Sequence, residues 1–223
     1  DPSALERWQR FAGDDDTRLA AIERAAASGA DATLITRGGY GLTRLLPRMP
    51  WEAVAASAEQ GTRWIGFSDF TALQLGLLSQ KPAITWAGPA LCEGLGLAAE
   101  PDEITVACLA DTLSRQSEGT GWRLPSGDAK HLDGSNNLLA NQATLWGGNL
   151  AMVCALVGTP WMPDIQGGVL FLEDVAEHPY RIERMLTQLL HAGVLARQQA
   201  IVLGQFTDYK LTAFDRGFKL ASV

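Results

Sequence analysis

Charge is scarce in this 223-residue chain: only 19% of residues are Asp, Glu, Lys or Arg, and 18 Lys+Arg against 25 Asp+Glu leave a net charge of −7. No run of Lys or Arg interrupts the acidic balance, which excludes a nucleic-acid or anionic-membrane surface, because both need clustered positive charge. Cysteine is equally sparse. Cys92, Cys108 and Cys154 are odd in number, far apart and set in apolar or helical stretches, the pattern of small buried hydrophobes in a reducing compartment, with no disulfide expected. His131, His178 and His191 show no zinc-ligand spacing, so neither metal nor cofactor is expected. No apolar run reaches the roughly 18 residues of a membrane span. Asp1-Pro2-Ser3 opens neither a basic region nor a signal-peptide core, and a cytoplasmic location is the expectation. What the chain does have is 47% apolar residues, enough to bury a substantial core.

The apolar residues are distributed with two periods. Asp14–Asp16 introduce a helical pattern through Ala20, Ile22 and Ala26 that Gly29 stops, and residues 32–36 form a β-prone run ending at Arg37-Gly38-Gly39. Pro50-Trp51 opens a second helix ending near Gly61; residues 64–67 read as a strand, 71–78 as a helix and 83–86 as a strand. Alternating βα units with short connections predict a parallel sheet covered by helices. A helix over 101–114 then gives way to a polar stretch rich in Gly, Ser and Asn, which places a domain boundary near residue 115. Beyond it the patterns predict an apolar run at 143–146, a helix over 149–157, a strand over 169–172, a helix over 179–192 and a strand over 201–206. The spacing of Phe214, Phe218, Leu220 and Ala221 predicts a final amphipathic helix that stops uncapped at Val223. The tryptophans share no spacing and suit core or domain-interface positions.

Three strand ends collect residues able to carry chemistry, and in open parallel α/β sheets sites are built at the carboxyl ends of strands. Arg37-Gly38-Gly39-Tyr40-Gly41 could aim backbone N–H groups at an anion or oxyanion, or be a plain tight turn. It is not a dinucleotide fingerprint, since Arg44 stands where Gly or Ala is required, and the chain has no P-loop. Gly66-Phe67-Ser68-Asp69-Phe70-Thr71 places Ser68 between a strand and a helix like a nucleophile elbow, with Phe70 in place of the second Gly. The same Ser-Asp pair would serve equally as a helix cap. In Leu170-Phe171-Leu172-Glu173-Asp174 a carboxylate follows an apolar strand, where it could orient a histidine. Alternatively, Asp174 caps the next helix and Glu173 is solvated. His178 and His191 read as structural, His131 as a surface residue and Asn149 as an N-cap.

Together these segments resemble the LD-carboxypeptidase family of serine peptidases, which includes muramoyltetrapeptide carboxypeptidases and microcin C self-immunity peptidases. The resemblance rests on Phe11-Ala12-Gly13-x-Asp15-x-x-Arg18-Leu19, Arg37-Gly38-Gly39-Tyr40-Gly41 with Arg44-Leu45-Leu46-Pro47, and Ile65 to Leu73. It continues through Gly88-Pro89, Trp146-Gly147-Gly148-Asn149-Leu150, Gly158-Thr159-Pro160 and Leu170 to Arg181, in order along nearly the whole chain. It implies an α/β protein: a Rossmann-like parallel-sheet N-terminal domain, here residues 1–115, and a smaller mixed α/β C-terminal domain, 116–223, with a Ser-His-Glu triad between them.

Carried over by position, Ser68 would be the nucleophile and Glu173 the triad acid, with the backbone N–H groups of Asp69, Gly38 and Gly39 as oxyanion hole. The implied reaction cuts the L,D peptide bond that releases terminal D-Ala from cytoplasmic murein tetrapeptides in cell-wall recycling, in a homodimer, with a murein peptide as partner. The immunity branch would instead cleave aminoacyl-nucleotide conjugates, and a non-catalytic α/β binding module is the third reading. In the family the catalytic His follows a Gly several tens of residues beyond the Glu. None of the three histidines sits at that place, and Ala87 stands where a His is expected before Gly-Pro. The family's first strand and its His segment are thus both expected to be missing here, leaving little triad activity in residues 1–223 alone.

Overall fold

A computed structural model describes residues 1–96, 100–114, 116, 119, 121 and 138–223. Helix α1 (Asp15–Ala26) starts where Asp14 accepts the Thr17 N–H at 2.8 Å. Asp15 and Asp16 in its first turn and Arg24 in its last complement the helix dipole. Strand β1 (Ala32–Leu34), helix α2 (Trp51–Glu59), β2 (Arg63–Gly66), α3 (Thr71–Gln80) and β3 (Trp86–Ala87) follow. The three strands form a parallel sheet in the order β1-β2-β3. Helix α4 (Glu103–Ser114) comes next, its first turn bound by the Asp102 carboxylate, which accepts from Thr105 N–H at 2.7 Å.

A second parallel sheet, in the order β4-β5-β6, is built from β4 (Leu145–Asn149), β5 (Val169–Val175) and β6 (Ala200–Thr207). Helices α5 (Leu150–Leu156) and α6 (Pro179–His191) make its crossovers. The expected α/β architecture with parallel sheets is therefore present.

The two sheets share one core. Helix α3 has no single apolar stripe: Ala72, Leu73, Leu75 and Leu77 are all buried, as suits a helix enclosed by other elements. It packs on β4 and α5 as well as on α2. Buried side chains run from Leu45, Leu46 and Trp64 through α3 to Leu150, Val153, Leu170, Leu172 and Ile182 without interruption.

Several expectations change. The apolar spacing over 214–223 does not make a helix: two short 3-10 turns, Ala213–Asp215 and Leu220–Ser222, stand there instead. Arg216 and Gly217 between them take positive φ values of 47° and 93°, which no right-handed helix accommodates. The third strand begins only at Trp86, and β4 extends through Gly147-Gly148 to Asn149 rather than ending at Trp146. Cys154 is buried, but Cys92 and Cys108 are exposed. Trp64 and Trp146 are core residues, whereas Trp8 is exposed. The boundary near residue 115, Trp122 and His131 lie outside the described residues. Among those described, no helix is long and apolar enough to cross a membrane.

Close approach dictates the glycines of β4. A Cβ on Gly147, at φ +113°, would lie 2.1 Å from the Phe171 carbonyl oxygen of β5. One on Gly148, at φ +131°, would lie 2.6 Å from Thr71 Oγ1 at the start of α3. Gly147→Ala should therefore cost well above the roughly 1 kcal/mol of a single left-handed residue. Gly29→Ala, at φ +66° with open space around it, should cost about 1 kcal/mol. Urea unfolding of the two variants checks the contrast; equal midpoints would contradict it.

Candidate active site

The nucleophile candidate is positioned by a sharp strand-to-helix turn. Strand β2 carries buried Trp64 and Ile65 to Gly66, the backbone stays extended through Phe67, and a 3-10 turn over Ser68–Phe70 feeds directly into α3. Gly66 is needed there, since a Cβ would lie 2.6 Å from the Phe70 ring. Ser68 has φ +59°, a left-handed conformation that costs a non-glycine residue about 1–2 kcal/mol and that marks nucleophile elbows. Neither the 3-10 turn nor α3 receives a side-chain cap, so the alternative in which Ser68 or Asp69 caps the helix does not describe the structure.

Asp69 does something else. Its carboxylate is buried and accepts the Leu42 N–H at 2.8 Å, tying the nucleophile turn to the loop that begins at Arg37. Burial pushes its pKa up; hydrogen bonds from the Leu42 and Gly41 N–H groups and the Arg18 charge act in the opposite sense. Gly38 backs onto the serine, a Cβ there falling 3.1 Å from Ser68 Oγ. Gly39, at φ +126°, faces Arg37 Nη2 rather than the serine.

The acid candidate sits on the second sheet. Glu173 pairs in register with Asn149 of β4. On its other side the ladder with β6 is irregular between Leu172 and Asp174: Leu172 pairs with Leu203, but Asp174 with Phe206. Such a bulge re-aims a side chain at the end of a strand. Glu173 is half-buried, and burial, followed by the neighbouring Asp174 charge, raises its pKa, with Asn149 partly offsetting the rise.

Asp174 is buried and serves α5 rather than α6. It accepts from Asn149 Nδ2, Ala151 N–H and Val175 N–H, each at 2.9 Å. The alternative in which Asp174 caps the following helix is overturned, because the N-cap residue of α6 is His178 and the helix receives no side-chain cap. Asn149 is the N-cap expected of it, accepting from Met152 N–H at 3.1 Å.

Ser68 and Glu173 line one cavity of about 460 Å³ between the two sheets, together with Phe67, Thr71, Gln74, Trp146 and Phe171. Ala87, at the position where a histidine was expected, lines it too, and among the described residues Glu173 is the one charged member of its wall. His178 faces elsewhere, its Nε2 lying 3.2 Å from Asp215, and His191 ends α6 on the surface. No described histidine lines the cavity. Sequence reasoning missed Thr71, whose hydroxyl accepts the Asn149 N–H at 3.1 Å and so joins α3 to β4. The conspicuous Gly147-Gly148 before Asn149 was the available signal, because paired glycines in a strand mark a close backbone approach.

A strained serine at a strand-to-helix turn and a half-buried carboxylate facing one cavity between two parallel α/β units define a class of sites suited to acyl transfer. Comparison with known proteins identifies the family. Residues 1–88 match the profile of the LD-carboxypeptidase N-terminal domain and residues 142–221 that of the LD-carboxypeptidase C-terminal domain. A crystal structure of muramoyltetrapeptide carboxypeptidase from Oxalobacter formigenes is 36% identical, with a TM-score of 0.85 over 98% of this chain and 70% of that one. The murein tetrapeptide carboxypeptidase of Pseudomonas aeruginosa is 34% identical over 208 residues, which are 91% of this chain and 64% of that protein. The microcin C7 self-immunity protein MccF of Escherichia coli is 31% identical over 193 residues, 76% of this chain and 54% of that protein. The chain belongs to the LD-carboxypeptidase family. It spans between 54% and 64% of the length of these curated relatives.

The raised pKa of Glu173 has a thermodynamic consequence. A carboxyl group that holds its proton more tightly folded than unfolded contributes stability below its ordinary value of 4.5, and loses it as pH rises through the folded-state value. Glu173→Gln should thus be more stable than wild type at pH 7, with the gap closing as pH falls toward 4.5. Urea midpoints across that range test this; a gap independent of pH would contradict it.

Proposed function

We propose that this chain is the nucleophile- and acid-bearing part of a serine carboxypeptidase that releases terminal D-Ala from murein tetrapeptides by cutting an L,D peptide bond. The observation that carries the reading is the placement of Ser68, at φ +59°, and Glu173 in the wall of one cavity. In this scheme Ser68 Oγ attacks the scissile carbonyl while a histidine takes its proton. Glu173 orients that imidazole and stabilises its charged form. The backbone N–H groups of Asp69 and of the Gly38-Gly39 turn receive the developing oxyanion. The leaving D-Ala amine takes the proton back from the histidine, and water then releases the acyl group from Ser68. The histidine comes from outside the described residues, since those described lie away from the cavity.

Residues 1–115 act in this scheme as the N-terminal domain and 116–223 as the C-terminal domain, within a cytoplasmic homodimer that recycles cell-wall peptides without a cofactor. A second reading is favoured by Phe67, an exposed aromatic ring at the serine that could stack on a nucleoside: hydrolysis of aminoacyl-nucleotide conjugates, as the immunity branch would perform. Parallel assays on a muramoyl tetrapeptide and an aminoacyl-sulfamoyl adenosine separate the two.

In the full-length protein Ser68→Ala should lower kcat for D-Ala release by about 10⁴-fold or more. An unchanged rate would remove Ser68 from the chemistry.

A further inference from the structure

The π-helical turn Leu91–Leu95 runs beside the backbone that leaves β1. Leu91 N–H donates to the Ile35 carbonyl at 2.9 Å and Cys92 N–H to the Thr36 carbonyl at 2.8 Å. At the next residue the sense reverses: the Glu93 carboxylate accepts the Gly38 N–H at 2.8 Å. Its other oxygen lies 3.6 Å from Arg37 Nε. Gly38 is also the residue against which the serine packs, for a Cβ there would lie 3.1 Å from Ser68 Oγ and 3.5 Å from Glu93 Oε2. An anionic oxygen and the nucleophile candidate therefore lie against the same glycine.

A backbone N–H has a single proton to donate. The Gly38 N–H is one of those assigned above to the oxyanion, and here it is occupied by a carboxylate, a partner that binds about twice as strongly as a neutral one. We propose that Glu93 is a resident occupant of the oxyanion donor, which substrate must displace, and that it is thereby a specificity-determining residue of the site. The side chains of Glu93 and Arg37 are 42% and 69% exposed, so the carboxylate has room to swing outward from Gly38 while keeping Arg37 as its counter-charge. A carbonyl oxygen that gains full negative charge in a well-held peptide can replace it. A small neutral ester with little binding energy of its own competes poorly, so the contact discriminates between the two.

The inference rests on the serine-hydrolase reading, and the experiment separates failure of one from failure of the other. The probe is 1-acetamidoethylboronic acid, whose tetrahedral adduct on a serine Oγ places a boron-bound oxygen at the oxyanion position. Its affinity is measured by titration calorimetry for the full-length wild type, Glu93→Ala, Glu93→Gln and Ser68→Ala. Glu93→Ala should bind at least about tenfold more tightly than wild type, with Glu93→Gln between them, because the Gln oxygen is the weaker competitor. Affinity unchanged or weakened in both Glu93 variants, with binding still dependent on Ser68, overturns the proposal and leaves Glu93 as a brace of the glycine turn. Binding that survives Ser68→Ala at full strength removes the nucleophile assignment, and the Glu93 proposal falls with it.

Discussion

The contact on which the candidate site depends is the hydrogen bond from the Asn149 N–H to Thr71 Oγ1, 3.1 Å long and buried where α3 meets β4. Thr71 is three residues beyond Ser68, and Asn149 is the register partner of Glu173. This bond between α3 and β4 thus joins the element that follows the serine to the strand that pairs with the carboxylate. It forms because Gly148 has no Cβ; any other residue would push its side chain into Thr71. The side chain of Asn149 extends the junction by donating to Asp174 and accepting from Met152 at the start of α5. Backbone, cap and ladder all meet at this one asparagine.

Around the junction stand three carboxylates whose pKa values are raised chiefly by burial: Asp69, Glu173 and Asp174. Asp69 and Asp174 are held by backbone N–H groups and act as struts, one fixing the glycine loop to the nucleophile turn, the other fixing α5 to β5. Glu173 alone of the three faces the cavity. Desolvating a carboxylate without matching backbone donors costs stability, and sites of chemistry are where such a cost is characteristically met. The same applies to the left-handed backbone of Ser68.

Much of this was legible in the sequence because the signals are local. Asp14 before a helical period, Pro50-Trp51, the apolar runs at 64–67 and 169–172, and the period over 179–192 each specify an element within a few residues of themselves. Phe214 to Val223 misled for the same reason: its apolar spacing suits a helix, but Arg216 and Gly217 adopt left-handed backbone that spacing does not encode. By spacing alone Ser68 could equally be a helix cap and Glu173 a solvated residue, and it was the ordered set of motifs that gave them roles. Glu93 and the irregular ladder beside Glu173 were invisible because each depends on a partner far away in the chain, and Thr71 was signalled only indirectly, by the paired glycines before Asn149. The Glu93 contact to Gly38 spans 55 positions and the Thr71 contact to Asn149 spans 78.

The central claim is that Ser68 and Glu173, delivered by different sheets, act as one chemical unit. Its most direct test is the rate at which a serine-directed fluorophosphonate modifies the full-length protein, with the labelled residue identified by peptide mapping. The account predicts modification at Ser68, slowed at least about 100-fold by Glu173→Gln, since removing the acid of such a unit has cost well over that in related constellations. Modification at another residue, or equal rates at Ser68 in the two proteins, would contradict it.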